Sequence, residues 1–105
     1  MGTLQELQDW YDSQCDGDWE HTWGVEIGTI DNPGWHVRID LNNTALDGLP
    51  FEPVIDIEPE REWVRCEVRG SQFVGAGGPQ QLERILRTFL DWVRVHDAGS
   101  ASTRA

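Results

Sequence analysis

The chain contains no lysine, so all eight of its basic residues are arginines. It has only two cysteines, Cys15 and Cys66, and they show no metal-ligand spacing. We therefore expect both to be reduced and packed as small side chains. No apolar run approaches the roughly 18 residues that a membrane-spanning helix needs, and the polar N-terminus lacks the apolar region of a signal peptide. These absences predict a cytoplasmic protein without a membrane partner, and no cofactor is expected.

Negative charge dominates the sequence and is unevenly placed. The formal net charge is −11; residues 1–60 contain 14 acidic residues and one arginine, whereas residues 61–105 contain seven arginines and five acidic residues. A surface this acidic repels nucleic acids and membranes and attracts basic proteins. The alternative, that the charge only keeps a small protein soluble, stays open at this point.

The stretch Trp23–Leu41 organises the predicted fold. Two alternating apolar and polar runs flank the turn-forming sequence Asp-Asn-Pro-Gly, which predicts a β-hairpin. If both apolar sets share one face, Trp35 must lie opposite either Thr29 or Asp31, and the second register favours a left-handed Gly34. A two-stranded hairpin is marginal alone, so its apolar face requires a cover.

Helical apolar stripes at the two ends of the chain predict that cover. The first helix runs from Thr3 to Ser13 or Gln14, and a capping box of Thr3 and Glu6 is expected at its start. The glycine-rich residues 75–79 predict a sharp reversal, with Pro79 at the first position of a second helix. That helix is predicted to end at about Val95.

Further strands are predicted between the hairpin and the second helix, at residues 54–58, 63–69 and 72–74, with a turn at residues 59–62. The order of elements predicts an α+β fold: a two-layer sandwich with a four- or five-stranded antiparallel sheet and an N-terminal and a C-terminal helix packed on one face. We expect one domain over residues 1–96 and a disordered tail over residues 97–105.

The segment 15–21 places four ionisable side chains within six residues: Asp16, Asp18, Glu20 and His21. It is a polar connection with Trp19 folded inward, a protein-recognition loop or a metal site. The metal interpretation is weak, because the spacing does not match a calcium loop and one histidine with scattered acids is poor for zinc.

The sequence shows no catalytic constellation. None of the serines sits beside a plausible histidine and acid, and neither cysteine lies in an electropositive motif. The glycine-rich segment lacks a phosphate-binding lysine and the dinucleotide spacing. We therefore expect no catalytic residues and no enzymatic activity.

Four short motifs, in order, resemble one protein family. They are the run from Leu7 to His21 (LQDWYDSQCDGDWEH), Asp-Asn-Pro-Gly-Trp at 31–35, Gly-Ala-Gly-Gly-Pro at 75–79 and Phe-x-x-Trp at 89–92. Together they are similar to the immunity protein 53 family of bacterial polymorphic-toxin systems, over about Leu4 to Val95. The resemblance implies a small cytosolic protein, encoded beside a secreted toxin, that binds the toxin domain and blocks it. It identifies no catalytic residue and no set of toxin-contacting residues in this sequence.

The partner-binding residues are therefore predicted from the residues alone. An acidic binder is steered towards a basic toxin domain, such as a nuclease with a basic cleft. The predicted contact residues are the charged members of the 16–21 loop, with two further acids as second choices: Asp16, Asp18, Glu20, His21, Asp31 and Asp40. The tryptophans Trp19, Trp23 and Trp35 are predicted to lie in the core.

Two other functions stay open. One is a small metal-dependent enzyme at the 16–21 loop. The other is a generic protein-interaction domain, such as a homodimer formed through the sheet face that the helices leave uncovered. A monomer is favoured over a homodimer, and no nucleic-acid partner is expected.

Overall fold

The structure, a computed structural model, describes residues 2–57 and 62–104, with side chains up to His96. Its elements are α1 (Thr3–Gln14), α2 (Trp19–Thr22), β1 (Val25–Ile30), β2 (Gly34–Asp40), β3 (Val54–Asp56), β4 (Val64–Arg69), β5 (Gln72–Gly77) and α3 (Leu82–Arg104). The predicted α+β class is confirmed: a five-stranded antiparallel sheet carries an N-terminal and a C-terminal helix. No helix in the described part of the chain is long and apolar enough to cross a membrane.

Two boundaries are left as predictions. Most of the turn predicted at residues 59–62 lies outside the described residues, which resume at Glu62. The predicted end of the second helix near Val95 is wrong, because the backbone of α3 is helical to Arg104. The division into a domain of residues 1–96 and a tail of 97–105 stays a prediction.

The strand order is β1-β2-β5-β4-β3, so the hairpin forms one side of the sheet. Thr29 pairs with Trp35, which confirms the first of the two predicted registers. Gly34 is not left-handed. A Cβ at Gly34 would clash with the carbonyl oxygen of Gly77, so glycine is needed there for the close approach of the strands β2 and β5.

The glycine-rich reversal predicted at residues 75–79 is wrong, because Gly75 and Gly77 lie within the central strand β5. Both glycines lie beneath α3, where a Cβ added to Gly75 would come 2.5 Å from Ile85 Cγ2. The chain instead turns at Gly78–Gln81, and α3 begins at Leu82 rather than at Pro79. Because Gly75 and Gly77 have no side chains, α3 can pack closely on the sheet.

The predicted capping box at Thr3 and Glu6 is also wrong, because α1 has no side-chain cap. Thr3 Oγ1 donates a hydrogen bond to Glu83 Oε2 over 2.9 Å. Glu6 accepts from Arg87 Nη1 at 2.7 Å and from Arg94 Nη2 at 2.8 Å. The two side chains therefore join α1 to α3, and charge-assisted contacts between the helices replace the local cap.

The core lies between the sheet and α3. Phe73 of β5 and Phe89 of α3 are fully buried, with ring centroids 5.2 Å apart, and Trp10 of α1 meets Phe89 edge-on at 5.0 Å. The connection from β2 to β3 adds Leu46 and Phe51 to this core. The aromatic contacts thus hold α1, α3 and the connection on the same face of the sheet.

Three tryptophans tie loops to the core through their indole N–H groups. Trp19 donates to the Asn42 carbonyl at 2.8 Å, Trp35 to Pro79 and Trp92 to Pro50, both at 2.9 Å. Trp19 is buried, and Trp23 and Trp35 are partly buried against the core. The prediction that the three tryptophans Trp19, Trp23 and Trp35 pack in the core is confirmed.

Candidate functional site

Exposed acidic residues are frequent near the N-terminus. We call residues 2–24, which comprise α1, α2 and the loop between them, the N-terminal arm. No lysine or arginine precedes Arg38 in the sequence. Four of the arm's six acids are exposed: Asp9, Asp12, Asp16 and Asp18. Glu6 is turned towards the arginines of α3, so the negative charge of the arm faces away from the core.

The loop between α1 and α2 is held by two of its own carboxylates. Asp16 Oδ1 accepts hydrogen bonds from the backbone N–H groups of Asp18 and Trp19, each over 2.9 Å. Glu20 reaches back to the backbone N–H groups of Asp16 and Gly17 at 3.0 and 2.9 Å. The chain turns at Gly17, which has a φ of +96°. This reciprocal arrangement satisfies the free amides at the start of α2, as a capping box does.

These hydrogen bonds lower the pKa of both carboxyl groups. The pKa of Asp16 falls below its ordinary value, first because of the Trp19 N–H and then because of the Asp18 N–H. The pKa of Glu20 is also lowered, chiefly by backbone N–H donors, with a smaller contribution from His21. Both groups are therefore anions that shape the loop.

Asp18 and His21 differ from their neighbours in the loop. Both are exposed, and neither side chain makes a hydrogen bond or ion pair within the described residues. Asp18 lies on the rim of an open depression of about 310 Å³ that Trp19, Trp23 and Asn43 also line. These two side chains, unlike Asp16 and Glu20, are available to a partner.

The second-choice acids do not form one site with the loop. Asp40 Oδ2 accepts from the Gly24 N–H and its Oδ1 from Gln72 Nε2, each over 3.0 Å, so it ties the start of β1 to β5. Asp31 lies exposed in the hairpin turn, at the other end of the hairpin. The length of β2, roughly 20 Å, separates the two. The structure therefore brings Asp40 near the arm and leaves Asp31 apart.

The uncovered face of the sheet is not acidic. Its arginines are Arg38, Arg65 and Arg69, and its acids are Glu26, Asp40 and Glu67. Arg38 pairs with Glu26, and Arg69 pairs with Glu67. Equal numbers of both signs therefore give the strand residues of this face no net charge.

An apolar groove borders the arm, and the sequence did not indicate it. Leu7, Gln8 and Tyr11 of α1 face Gly24 and Val25 across a groove of about 310 Å³. Tyr11 is 39% exposed and nearby Ile27 of β1 is 38% exposed, although both lie on apolar stripes that predict burial. A hydrophobic pattern identifies the apolar face of a strand but not which strand lies at the edge, where the helix cover ends.

The part of the chain that the structure describes shows no candidate metal centre, and its buried thiol, Cys66, is not activated. No group of three or more His, Cys, Asp or Glu side chains among the described residues could hold a metal ion. Both cysteines are free, and burial raises the pKa of the Cys66 thiol to about 11. That thiol is protonated at neutral pH and is therefore a poor nucleophile.

One comparison with known proteins gives a match. The family model described as immunity protein 53 matches residues 4–94, which is most of the chain. No curated protein and no solved structure matches it.

Proposed function

The chain belongs to the immunity protein 53 family, and from that premise we propose that it binds a cognate bacterial toxin domain and neutralises it by blocking it. The family match itself suggests a toxin-neutralising immunity role. What the toxin is, and how it is held, is our proposal. The observation that carries it is the N-terminal arm, which exposes four carboxylates and contains no lysine or arginine.

We propose that the arm is steered into a basic cleft of the toxin. A patch of one sign raises the rate of encounter with a partner of the opposite sign and selects against acidic partners. Clefts that bind nucleic acid are basic, so a nuclease domain fits this surface. The protein would act in the cytoplasm as a monomer, without a cofactor and without catalysis of its own.

Within the arm, the structure supports two roles for the predicted contact residues. Asp18 and His21, together with the exposed Asp12, have side chains free to meet the toxin. Asp16 and Glu20 hold the loop in one conformation through backbone hydrogen bonds. A loop fixed before binding loses less conformational entropy on association, which favours affinity.

Charge reversal on the arm tests this proposal. The test uses the purified cognate toxin domain, which we expect to be the C-terminal domain of a large secreted protein encoded beside this chain. We expect Asp12→Arg with Asp18→Arg to slow association by about tenfold or more at low salt, because steering is lost, while dissociation changes less. Stopped-flow or surface-plasmon measurements at two salt concentrations give both rates.

A matched control separates the arm from net charge. Glu52→Arg with Glu62→Arg alters the net charge equally, at exposed acids on the connections before β3 and β4. This variant should associate within about threefold of the unaltered chain. Equal slowing by both pairs would show that only total charge matters, and the arm would then not be the contact surface.

A further inference from the structure

The edge of β1 offers free backbone hydrogen-bonding groups. β1 is the first strand of the sheet and pairs only with β2 in the described part of the chain. The Asp40 N–H donates to the Gly24 carbonyl at 3.0 Å. Together with the observed antiparallel register, this bond determines which residues of β1 form hydrogen bonds with β2. Every second residue from Gly24 bonds to β2, and the N–H and C=O groups of Val25, Ile27 and Thr29 point outward.

This edge lacks the features that usually protect a sheet edge. β1 has six residues, with no proline and no lysine, and its register with β2 runs without a bulge. The opposite edge strand, β3, has three residues and directly follows Pro53. A long, regular, unprotected edge is a template for a further strand.

Apolar surface adjoins the same edge. The side chains of Val25, Ile27 and Thr29 lie on the helix-covered face, because they share it with Trp35 and Val37 in the observed register. A strand paired with β1 would place alternate side chains on that face. They would meet the exposed part of Ile27 and the groove of about 310 Å³ between α1 and β1.

The charges around the edge identify the chemistry of its partner. The carboxylates of Asp12 and Glu20 lie close enough to Tyr11, at the groove, to help raise the pKa of its hydroxyl, although the Cys15 side chain is the main cause. Glu20 lies in α2, which precedes β1, and the exposed Asp31 lies in the turn that directly follows β1. A second copy of the chain would place its acids next to these acids, and the like charges would repel each other. A basic segment would instead be attracted to these acids.

We propose that the free edge of β1 takes up an extended segment of the toxin as a sixth strand of the sheet. That segment carries apolar residues at alternate positions, which enter the groove beside α1, and basic residues that meet the acids around it. This inference rests on the proposed function and deepens it. The arm supplies electrostatic attraction, and the edge supplies directional hydrogen bonds.

Hydrogen exchange of individual amides tests strand addition directly. In the free chain, the outward amides of Val25, Ile27 and Thr29 should exchange fast, while those of Glu26 and Gly28 are protected by β2. On addition of the neighbouring toxin domain, the three outward amides should slow by about a hundredfold or more. Unchanged exchange at all three would overturn the proposal.

Proline substitution tests the hydrogen bonds separately from the side chain. Ile27→Pro removes an outward N–H and no bond to β2, because edge strands accept proline on their solvent side. We expect it to weaken toxin binding by about tenfold or more, whereas Ile27→Val, which keeps the N–H, changes binding by less than about threefold. Thermal unfolding shows whether each variant is folded, and Thr29→Pro with Thr29→Ala repeats the test at a second exposed position.

The outcomes separate this inference from the proposed function. If the unaltered chain binds the toxin domain tightly and both proline variants bind it with the same affinity, the sixth strand is overturned. The proposed function then stays in place. Absence of binding by the unaltered chain overturns both. A free chain that is dimeric by light scattering, with Val25, Ile27 and Thr29 already protected, would show that a second copy occupies the edge.

Discussion

At Gly75, the missing side chain sets the distance between α3 and the sheet. An added Cβ would come 2.5 Å from Ile85 Cγ2, in a fully buried contact. We expect Gly75→Ala to lower the free energy of unfolding by about 1–3 kcal/mol, because the helix must move away from β5. Gly24→Ala, where a Cβ meets nothing within 4 Å, should change it by less than about 0.5 kcal/mol. Denaturant unfolding measures both, and equal values would refute close packing at Gly75.

Glu6 provides a test of pH dependence at a single residue. Hydrogen bonds from Arg87, and then from Arg94, hold the pKa of this carboxyl below its ordinary value. A carboxyl with a lowered pKa in the folded state stabilises the protein at neutral pH, and this contribution is lost as the pH falls through that lowered value. Glu6→Gln should therefore reduce the loss of stability between neutral and acidic pH.

The two arginines provide a graded control. Because the hydrogen bond from Arg87 is the largest cause of the lowered pKa, Arg87→Gln should reduce the acid dependence more than Arg94→Gln. Denaturant midpoints measured from about pH 7 to about pH 3 give the comparison. If Arg94→Gln had the larger effect, the assignment of the main contact would be wrong.

At the scale of elements, the loop before α2 depends on Asp16. Its carboxylate accepts from the N–H groups of Asp18 and Trp19, so Asp16→Ala should speed exchange of those two amides by about tenfold. Trp19 should stay buried, since its indole N–H is bound to Asn42. The control Asp18→Ala removes a carboxylate that accepts no hydrogen bond within the described residues and should leave the exchange of the loop amides unchanged. Equal effects of both substitutions would contradict the role of Asp16.

The elements that the sequence predicted correctly are those with a strong local pattern. Strict alternation and an Asp-Asn-Pro-Gly turn define the hairpin, and the Thr29–Trp35 register follows from matching its apolar sides. The full length of β5 was missed because Gly75 and Gly77 read as a reversal. Glycine is needed at these two positions because α3, which lies further along the sequence, packs directly onto them. The prediction of a capping box was wrong for a similar reason, because Glu6 accepts its hydrogen bonds from α3.

The candidate site was predictable only in part. The sequence showed the run of charges at 15–21, but it could not show that Asp16 and Glu20 bind backbone amides while Asp18 remains free. The groove beside β1 was not predicted at all, because it depends on which strand lies at the edge of the sheet and on where α1 ends its cover. Such features depend on tertiary arrangement, which periodicity does not encode.

Over the whole molecule, the uncovered sheet face and the N-terminal arm differ in their balance of charge. The uncovered sheet face carries arginines and acids in equal number, whereas the N-terminal arm carries acids without a lysine or arginine. Arginines of α3 neutralise Glu6 at the contact between the helices. The arm, with six acids and no lysine or arginine, thus carries about half of the net charge of −11, and we propose that the arm and the free edge of β1 meet the toxin.

The most direct measurement is a titration of the neighbouring toxin domain's activity with this chain. A protein that neutralises its partner by occupying it should abolish that activity in proportion to its concentration, reaching completion at one molecule per toxin. Activity that persists at large excess would contradict binding as the basis of neutralisation. Complete loss of activity at a small fraction of one equivalent would contradict it equally, because the chain would then be altering the toxin catalytically.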